Sequence, residues 1–359
     1  MRSDMVTMKD VAAAAGVSQA SVSYAYSGSQ RVSAVRREHI FAVAASLGYT
    51  GPNIAGSSLR LGRIGAVGVL IPGSLSLAVE DPSTMLLVRG IVEVGELADV
   101  ALTLLPVDPQ RGDGNDPVKP AVLRGLVDGV VIHCLPDDHP VVEAVRAREI
   151  PAVAIDSPRV PHLPYVTVDH RQAGAEQMNH VLNLGHRRIG VITDRLGPLP
   201  SPGYRYWADA ETSKETYLRE RLAGCRQALS DHDVRVSDVA LIEAANIDMP
   251  SGLAAADLLI REFAPTAIVA TSDVHAVAAL KVLSSNGIAV PDAVSVIGFD
   301  DAPIADLVGL TTIRQPLRDK GRTAAKILLD LIAGQSRRRS IMATELIVRS
   351  TTGPAPRQG

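Results

Sequence analysis

From Ile64 to near the C-terminus, short apolar stretches alternate with longer amphipathic ones, and this alternation constrains the fold more than any other feature. Ile64-Gly-Ala-Val-Gly-Val-Leu-Ile71 has the pattern of a strand buried on both faces. Further strands are expected at 100–105, 129–133, 152–155, 165–168, 188–192, 239–243, 267–270, 295–298, 312–314 and 344–348. Helical patterns fall between them at 84–97, 141–148, 172–184, 215–229, 252–261, 274–286 and 317–333. Repeated strand–helix units select parallel sheets with helices on both faces. A stretch of ~300 residues exceeds what one core usually serves, so two subdomains are expected.

Composition narrows the class. The chain has 359 residues, 46% hydrophobic and 21% charged, which excludes a disordered or fibrous protein. No apolar run approaches the ~18 residues of a membrane span. Met1 to Asp10 lacks the apolar core of a signal peptide, so a cytoplasmic location is expected. Cys134 and Cys225 lie far apart without the spacing of a disulfide framework or zinc site. The histidines are scattered, and neither metal nor cofactor is expected.

Charge is unevenly distributed. Residues 1–63 carry seven basic and three acidic side chains, a net +4, which leaves −7 for the remainder. A basic head on an acidic body suggests a polyanion-binding domain attached to something else. Within the head, Thr7 and Asp10 have capping-box spacing ahead of a helix through Val11–Ala15. Gly16-Val17-Ser18 ends that helix and caps a second, about Gln19 to Ser27. After the loop Gly28–Arg31, Ser33 caps a third helix, Ala34 to Leu47, with Val35, Ile40, Val43 and Leu47 expected inward. Helix, glycine turn and helix form a helix-turn-helix unit.

The residue identities go further than the spacing. Thr7-Met-Lys-Asp-Val-Ala12, Ala15-Gly-Val-Ser18, Ser21-Val-Ser23, Arg31-Val-Ser33, Leu47-Gly-Tyr49 and Pro52-Asn53 closely resemble the head of the lactose/galactose repressor (LacI/GalR) family of bacterial transcription regulators. The resemblance implies that the second helix enters the DNA major groove. Its base-reading positions fall on Gln19, Ala20 and Tyr24. Glutamine can pair with adenine through two hydrogen bonds, and alanine can pack on a thymine methyl. Tyr24 departs from the family's usual arginine, which removes the commonest guanine contact. Ser18, Ser21 and Ser23 suit phosphate, the alternative being helix capping and solvation.

Residues 51–63 form the implied hinge, to which Asn53 leads. There the resemblance makes Leu59 a wedge into the minor groove, with Arg60 and Arg63 near phosphates. Gly56 weakens this short helix, which is expected to fold only on DNA.

The body carries the same resemblance in Tyr165-Val-Thr-Val-Asp169, Leu184-Gly-His-Arg-Arg-Ile189, Arg221-Leu-Ala-Gly224, Val290-Pro-Asp-Ala-Val-Ser295 and Gly298-Phe-Asp-Asp301. The implied whole is a small all-α helix-turn-helix head, residues 1–50, plus an α/β two-lobed periplasmic-binding-protein-like effector domain of doubly wound parallel sheets, residues 64–359. Its lobes are expected at about 64–164 with 316–335, and 165–315 with 336–350. Arg221 and Asp300 match positions that hydrogen-bond the effector in several members.

Ligands in such sheets bind beyond the carboxyl ends of strands. Asp156, Asp194, Asp273 and Asp300 occupy such ends, with helix capping the alternative for each and the favoured one for Asp273. Tyr204, Tyr206, Trp207 and Tyr217 concentrate four of the 11 aromatic residues in one long loop. Trp207 and Tyr217 are accordingly grouped with Asp156, Arg221, Asp273 and Asp300 as effector contacts, the alternative for the loop being surface packing.

Two other classes compete, a cytosolic α/β enzyme and a solute-binding protein. The chain has no P-loop, no G-x-S-x-G elbow and no H-E-x-x-H. The basic head fits neither class. The expected partners are palindromic double-stranded operator DNA, a second copy of the chain and a small-molecule effector such as a sugar, with no membrane partner. Substituting Leu59→Ala is expected to weaken specific DNA binding strongly and leave ligand affinity unchanged. Equal specific affinity in a filter-binding titration removes the wedge.

Overall fold

Three helices, each started by a hydroxyl side chain, organise the N-terminal residues in the computed structural model. The structure describes residues 6–51, 64–97, 100–107, 127–197, 199–335 and 338–357. The expected DNA contacts Asn53, Leu59 and Arg60 lie outside these. The chain divides into two compact units, Met1–Gly65 and Ala66–Gly359.

In the first unit, α1 (Met8–Ala14), α2 (Gln19–Tyr26) and α3 (Ala34–Ser46) pack around Val11, Val22, Ala25, Val32, Ile40 and Ala44. Thr7 and Asp10 form the reciprocal capping box, Ser18 accepts from the Ser21 amide, and Ser33 from the Arg36 amide. Gly16 adopts φ +64°, a left-handed conformation that closes the turn between α1 and α2. Two expectations fail: Leu47, at the C-cap of α3, is 37% exposed, and Val35 is 79% exposed rather than inward. Five residues of helix separate it from Ile40, a rotation of about 140° that carries it to the opposite face.

The second unit contains two sheets. The first lobe is built from β1 (Ala66–Pro72), α4 (Leu75–Glu80), α5 (Pro82–Val92), β2 (Ala101–Val107), β3 (Gly129–His133), α6 (Pro140–Ala147), β4 (Ala152–Ile155) and β5 (Tyr165–Val168). The second follows with α7 (His170–Asn183), β6 (Ile189–Thr193), β7 (Gly203–Tyr204), α8 (Trp207–Thr212), α9 (Thr216–Asp231), β8 (Ala240–Glu243), α10 (Met249–Phe263), β9 (Ala267–Ala270), α11 (Asp273–Ser285), β10 (Ser295–Asp300), α12 (Pro303–Leu307) and β11 (Thr311–Arg314). The chain returns to the first lobe for α13 (Leu317–Ile332) and β12 (Arg339–Met342), and to the second for β13 (Glu345–Ile347).

Strand order is β12-β5-β4-β3-β1-β2 in the first sheet and β13-β11-β10-β9-β6-β8-β7 in the second. Every pairing in the first is parallel; only the edge strands β13 and β7 run antiparallel in the second. This corrects the expected lobe limits. Tyr165–Val168 extends the first sheet from β4, and Arg339–Met342 closes its edge. The crossings fall at 168–170, 314–317 and 342–345; the expected boundary at 315 lies within the second, whereas those at 164 and 335 are displaced. The strand Arg339–Met342 is half-exposed and bears an arginine and a serine, so it lacks the apolar run that marks a buried strand. Among the described residues no helix is long and apolar enough to cross a membrane.

In each lobe two helices cross at backbone contact. A Cβ at Gly90 would lie 1.9 Å from the Arg318 carbonyl oxygen, and one at Gly321 2.1 Å from that of Leu87, so α5 and α13 meet through glycines. The second lobe repeats the device between α7 and α9. A Cβ at Gly174 would lie 2.1 Å from the Arg221 oxygen, and one at Gly224 1.9 Å from that of Arg171. Because the obstructing atoms are backbone, a methyl group must separate the helices. Gly174→Ala is expected to destabilise the protein by at least ~2 kcal/mol in denaturant melts, at or above the usual cost of overpacking. A loss below ~0.5 kcal/mol would show that the crossing tolerates separation.

Candidate nucleic-acid interface and cleft

On α2, Val22 and Ala25 face the head's own core, which turns Gln19, Ala20 and Ser23 to solvent. Ser18 spends its hydroxyl on the cap, accepting from the Ser21 amide at 3.1 Å and meeting the Ser21 hydroxyl at 2.9 Å. The N-terminus of α2 also presents amide dipoles that favour an anion. Tyr24 is half-buried against the core. Its hydroxyl accepts from Arg31 Nη1 at 3.0 Å, and the guanidinium carbon lies 5.3 Å from the ring centre. The sequence places Arg31 in the loop and in the Arg31-Val-Ser33 motif but not against Tyr24, because the pairing depends on how the loop returns. Arg37 fixes that loop by donating to the Ser29 carbonyl at 2.7 Å.

In the second unit, the carboxyl ends of both sheets face a cavity of about 140 Å³. Asp81, His133, Cys134 and Asp156 line it from the first lobe; Asp194, Glu215, Tyr217, Arg221 and Asp300 line it from the second. Four of the six expected effector residues are thus brought together: Asp156, Tyr217, Arg221 and Asp300.

Asp156 ends β4 with φ +64° and is buried. Oδ1 accepts from Thr167 at 3.0 Å and lies 2.9 Å from His170 Nε2, while Oδ2 accepts from the Lys320 ammonium. Burial pushes this carboxyl up, but Lys320 and His170 prevail and hold it well below the usual range. His170 itself is pushed down to about 4, chiefly by burial. As a neutral ring it donates from Nε2 to Asp156 and accepts at Nδ1 from Arg221 Nη2, 3.3 Å away. The Arg221 guanidinium lies 3.4 Å from the Phe299 ring centre, and its Nη1 donates to the Thr271 carbonyl. Its Nε is buried without a partner among the described residues.

The second lobe's carboxyls behave oppositely. Asp300, at φ +128°, accepts from Gln315 Nε2 at 2.6 Å. Burial, then the nearby Asp273 charge, raise its carboxyl well above the usual range. Burial also lifts Glu215 to about 7 despite Arg195, 3.6 Å from it. Asp194 receives Thr271 at 3.1 Å and the Tyr217 hydroxyl at 3.3 Å.

Two expected effector residues lie elsewhere. Trp207 is packed in the second lobe's core, its ring N–H donating to the Val239 carbonyl at 3.1 Å. The aromatic loop divides: Tyr204 pairs at the sheet edge, Tyr206 is exposed, and Tyr217 alone of the four reaches the cavity. Asp273 is also outside the cavity lining. Ser272, not Asp273, caps α11; Asp273 braces the segment after β10 and the strand β11, accepting from the Ala302 amide at 2.8 Å and the Thr312 hydroxyl at 2.6 Å.

His133, Cys134 and Asp156 bring three donor atoms within 4.8 Å of one another. Both Asp156 oxygens are already engaged, one by a histidine and one by an ammonium, so the carboxylate is committed to protein partners rather than to a metal. Lys320, His170, Gln315 and Glu215 were not singled out in the sequence. Only Lys320 carries a signal: a lysine on the stripe of Leu317, Gly321, Ala324 and Leu328, the buried face of α13.

These environments set a pH dependence. Glu215 and Asp273, both held up to about 7, stabilise the fold while protonated. That contribution is complete below the unfolded values near ~4 and is lost as pH rises toward neutrality. Asp156 has the opposite sign and loses its contribution only in stronger acid. Stability from denaturant melts is expected to fall between about pH 5 and 7, with a shallower slope in Glu215→Gln; an unchanged slope excludes Glu215.

Residues 7–53 match the family described as bacterial regulatory proteins, lacI family, and residues 178–352 match the periplasmic binding protein-like domain. An HTH-type transcriptional regulator of Mycolicibacterium smegmatis is 35% identical over 97% of this chain and 96% of its own length. Among solved structures, a LacI-family transcriptional regulator from Corynebacterium glutamicum has a TM-score of 0.73 at 28% identity, covering 97% of this chain and 99% of its own. The transcriptional regulator CelR in complex with cellobiose has a TM-score of 0.66 at 27% identity, covering 96% and 99%. These relatives are regulators and not enzymes. The head's capped helices and the two-lobed body thus belong to one known design, and the chain is a member of the LacI family of bacterial transcriptional regulators.

Proposed function

We propose that this regulator binds a palindromic operator as a dimer, acting as a repressor, and that a neutral single-ring polyol in the cleft sets its affinity for that DNA. Gln19, Ala20 and Tyr24 read bases, while Ser18, Ser21 and Ser23 meet phosphate. Asn53, Leu59 and Arg60 complete the contact from the hinge. The relative CelR holds cellobiose, which supports a sugar-like occupant.

The observation that carries the ligand reading is the donor and acceptor set around the cavity. Arg221 donates from one lobe, Asp156 accepts from the other, and Asp300 and Glu215 are held toward their protonated forms. Hydroxyl groups donate and accept at once, so a polyol satisfies both kinds of wall. With Asp300 and Glu215 held toward their protonated forms, Asp81, Asp156 and Asp194 still outnumber Arg195 and Arg221, which disfavours an anion such as a sugar phosphate. A cavity of about 140 Å³ is close to the ~150 Å³ that takes up a benzene-sized ring. That is room for one ring with its hydroxyls.

A ligand favouring one lobe arrangement shifts the population and, through the hinges, the fit of two heads to two half-sites. Selection of genomic fragments by the purified protein at two salt concentrations tests the DNA reading. One imperfect palindrome is expected, with affinity falling steeply in salt; no enrichment with or without added cell metabolites refutes it. Melting shifts with neutral monosaccharides and cyclitols, cellobiose and sugar phosphates test the ligand reading. A shift from a single-ring polyol that Asp300→Ala abolishes is expected, and a response to phosphates alone overturns it.

A further inference from the structure

Lys320 is wholly buried, with no solvent to stabilise its charge. A buried ammonium persists when its hydrogens are taken up by close acceptors. Here it donates to Asp156 Oδ2 and to Gln315 Oε1 at 2.8 Å. Those partners stand on different parts of the molecule. Asp156 ends β4 in the first sheet, whereas Gln315 follows β11 in the second and opens the middle crossing.

The contacts continue in both directions. With its oxygen facing the ammonium, the Gln315 amide has only its N–H₂ to offer Asp300, and it donates to Oδ1 at 2.6 Å. On the other side Asp156 meets His170 at 2.9 Å, and His170 meets Arg221 at 3.3 Å. Asp300 and Arg221 both belong to the second lobe and both line the cavity. The series Asp300–Gln315–Lys320–Asp156–His170–Arg221 therefore leaves the second lobe, passes through the first, and returns. It touches the crossing at 168–170 through His170 and the crossing at 314–317 through Gln315.

We propose that Lys320 is a positioning residue that latches the two lobes together beneath the cleft, fixing Asp156 from one side and, through Gln315, Asp300 from the other. It has no contact with the cavity. It acts through the side chains that do, and its removal unties two crossings at once while leaving each sheet's own pairing intact.

Amide hydrogen exchange on the full chain, without DNA or ligand, tests this independently of the operator and polyol readings. Three variants are compared with the wild type: Lys320→Met, the double variant Asp156→Asn with Lys320→Met, and Gln315→Leu. In Lys320→Met, amides in 156–172 and 311–320 are expected to exchange at least about tenfold faster, while β3 and β9 change far less. The double variant removes the stranded carboxylate; it is expected to recover the core's protection and keep the crossings fast. Gln315→Leu, which leaves Lys320 its carboxylate, is expected to accelerate 311–320 alone. If Lys320→Met fails to fold, the other two variants decide. Protection unchanged from wild type, or lost evenly across core and crossings, overturns the latch in favour of an ordinary stabilising ion pair.

Discussion

Four positions without a Cβ allow the rest of this body to be built. Gly90 with Gly321, and Gly174 with Gly224, bring two helices in each lobe to backbone contact. Helices normally cross at 8–10 Å, with side chains setting the distance. Here carbonyl oxygens set it, and these do not change rotamer. The cleft inherits that stiffness. Arg221 supplies the very oxygen against which Gly174 rests, and Lys320 precedes Gly321 on α13. The two buried cations that organise the cleft thus project from the most tightly fixed points of their helices, where a long side chain can be aimed at little cost in freedom.

The carboxyl groups then divide by neighbourhood and not by residue type. Asp156 has an ammonium and a histidine N–H against it and stays ionised in the interior. Asp300 is buried too, but there burial and the Asp273 charge outweigh the help of Arg221 and of the Gln315 amide. Facing walls of one small cavity therefore carry a charged acceptor and a group that holds its proton. Such a pair of walls can tell which end of a hydroxyl-bearing ring is which, because one accepts and the other donates.

Much of the fold is legible in the sequence where a local cause suffices. Thr7, Ser18 and Ser33 cap helices because a hydroxyl beside free amides needs no tertiary context. The apolar runs of β1, β3 and β4 are buried strands because nothing else buries them on both faces. Legibility fails where the decision is made at long range. Arg339–Met342 becomes a strand only because Tyr165–Val168 offers a free edge. Trp207 enters the core rather than the cleft because the Val239 carbonyl awaits its N–H. Of the cleft, Arg221 and Asp300 are visible through resemblance, whereas Glu215, Gln315 and His170 matter through partners distant in sequence. Lys320 alone left a trace, as a charge out of place on an apolar stripe.

The threefold crossing of the chain between lobes also fixes the order in which the parts can exist. The contacts of the head's core lie within its first 49 residues. The first lobe lacks its long helix and edge strand until Met342 has been added, and the second lacks β13 until Ile347. Thr351 and Ala355 then fasten the tail to Thr311 and Leu184. On a ribosome, where folding follows synthesis from the N-terminus, the DNA-facing part is finished while more than 300 residues are still to come. The cavity lining is complete at Leu317, before the closing strand of either lobe has been added. Termination before Arg339 therefore leaves a head whose core is complete and a body whose two lobes both lack their closing strands.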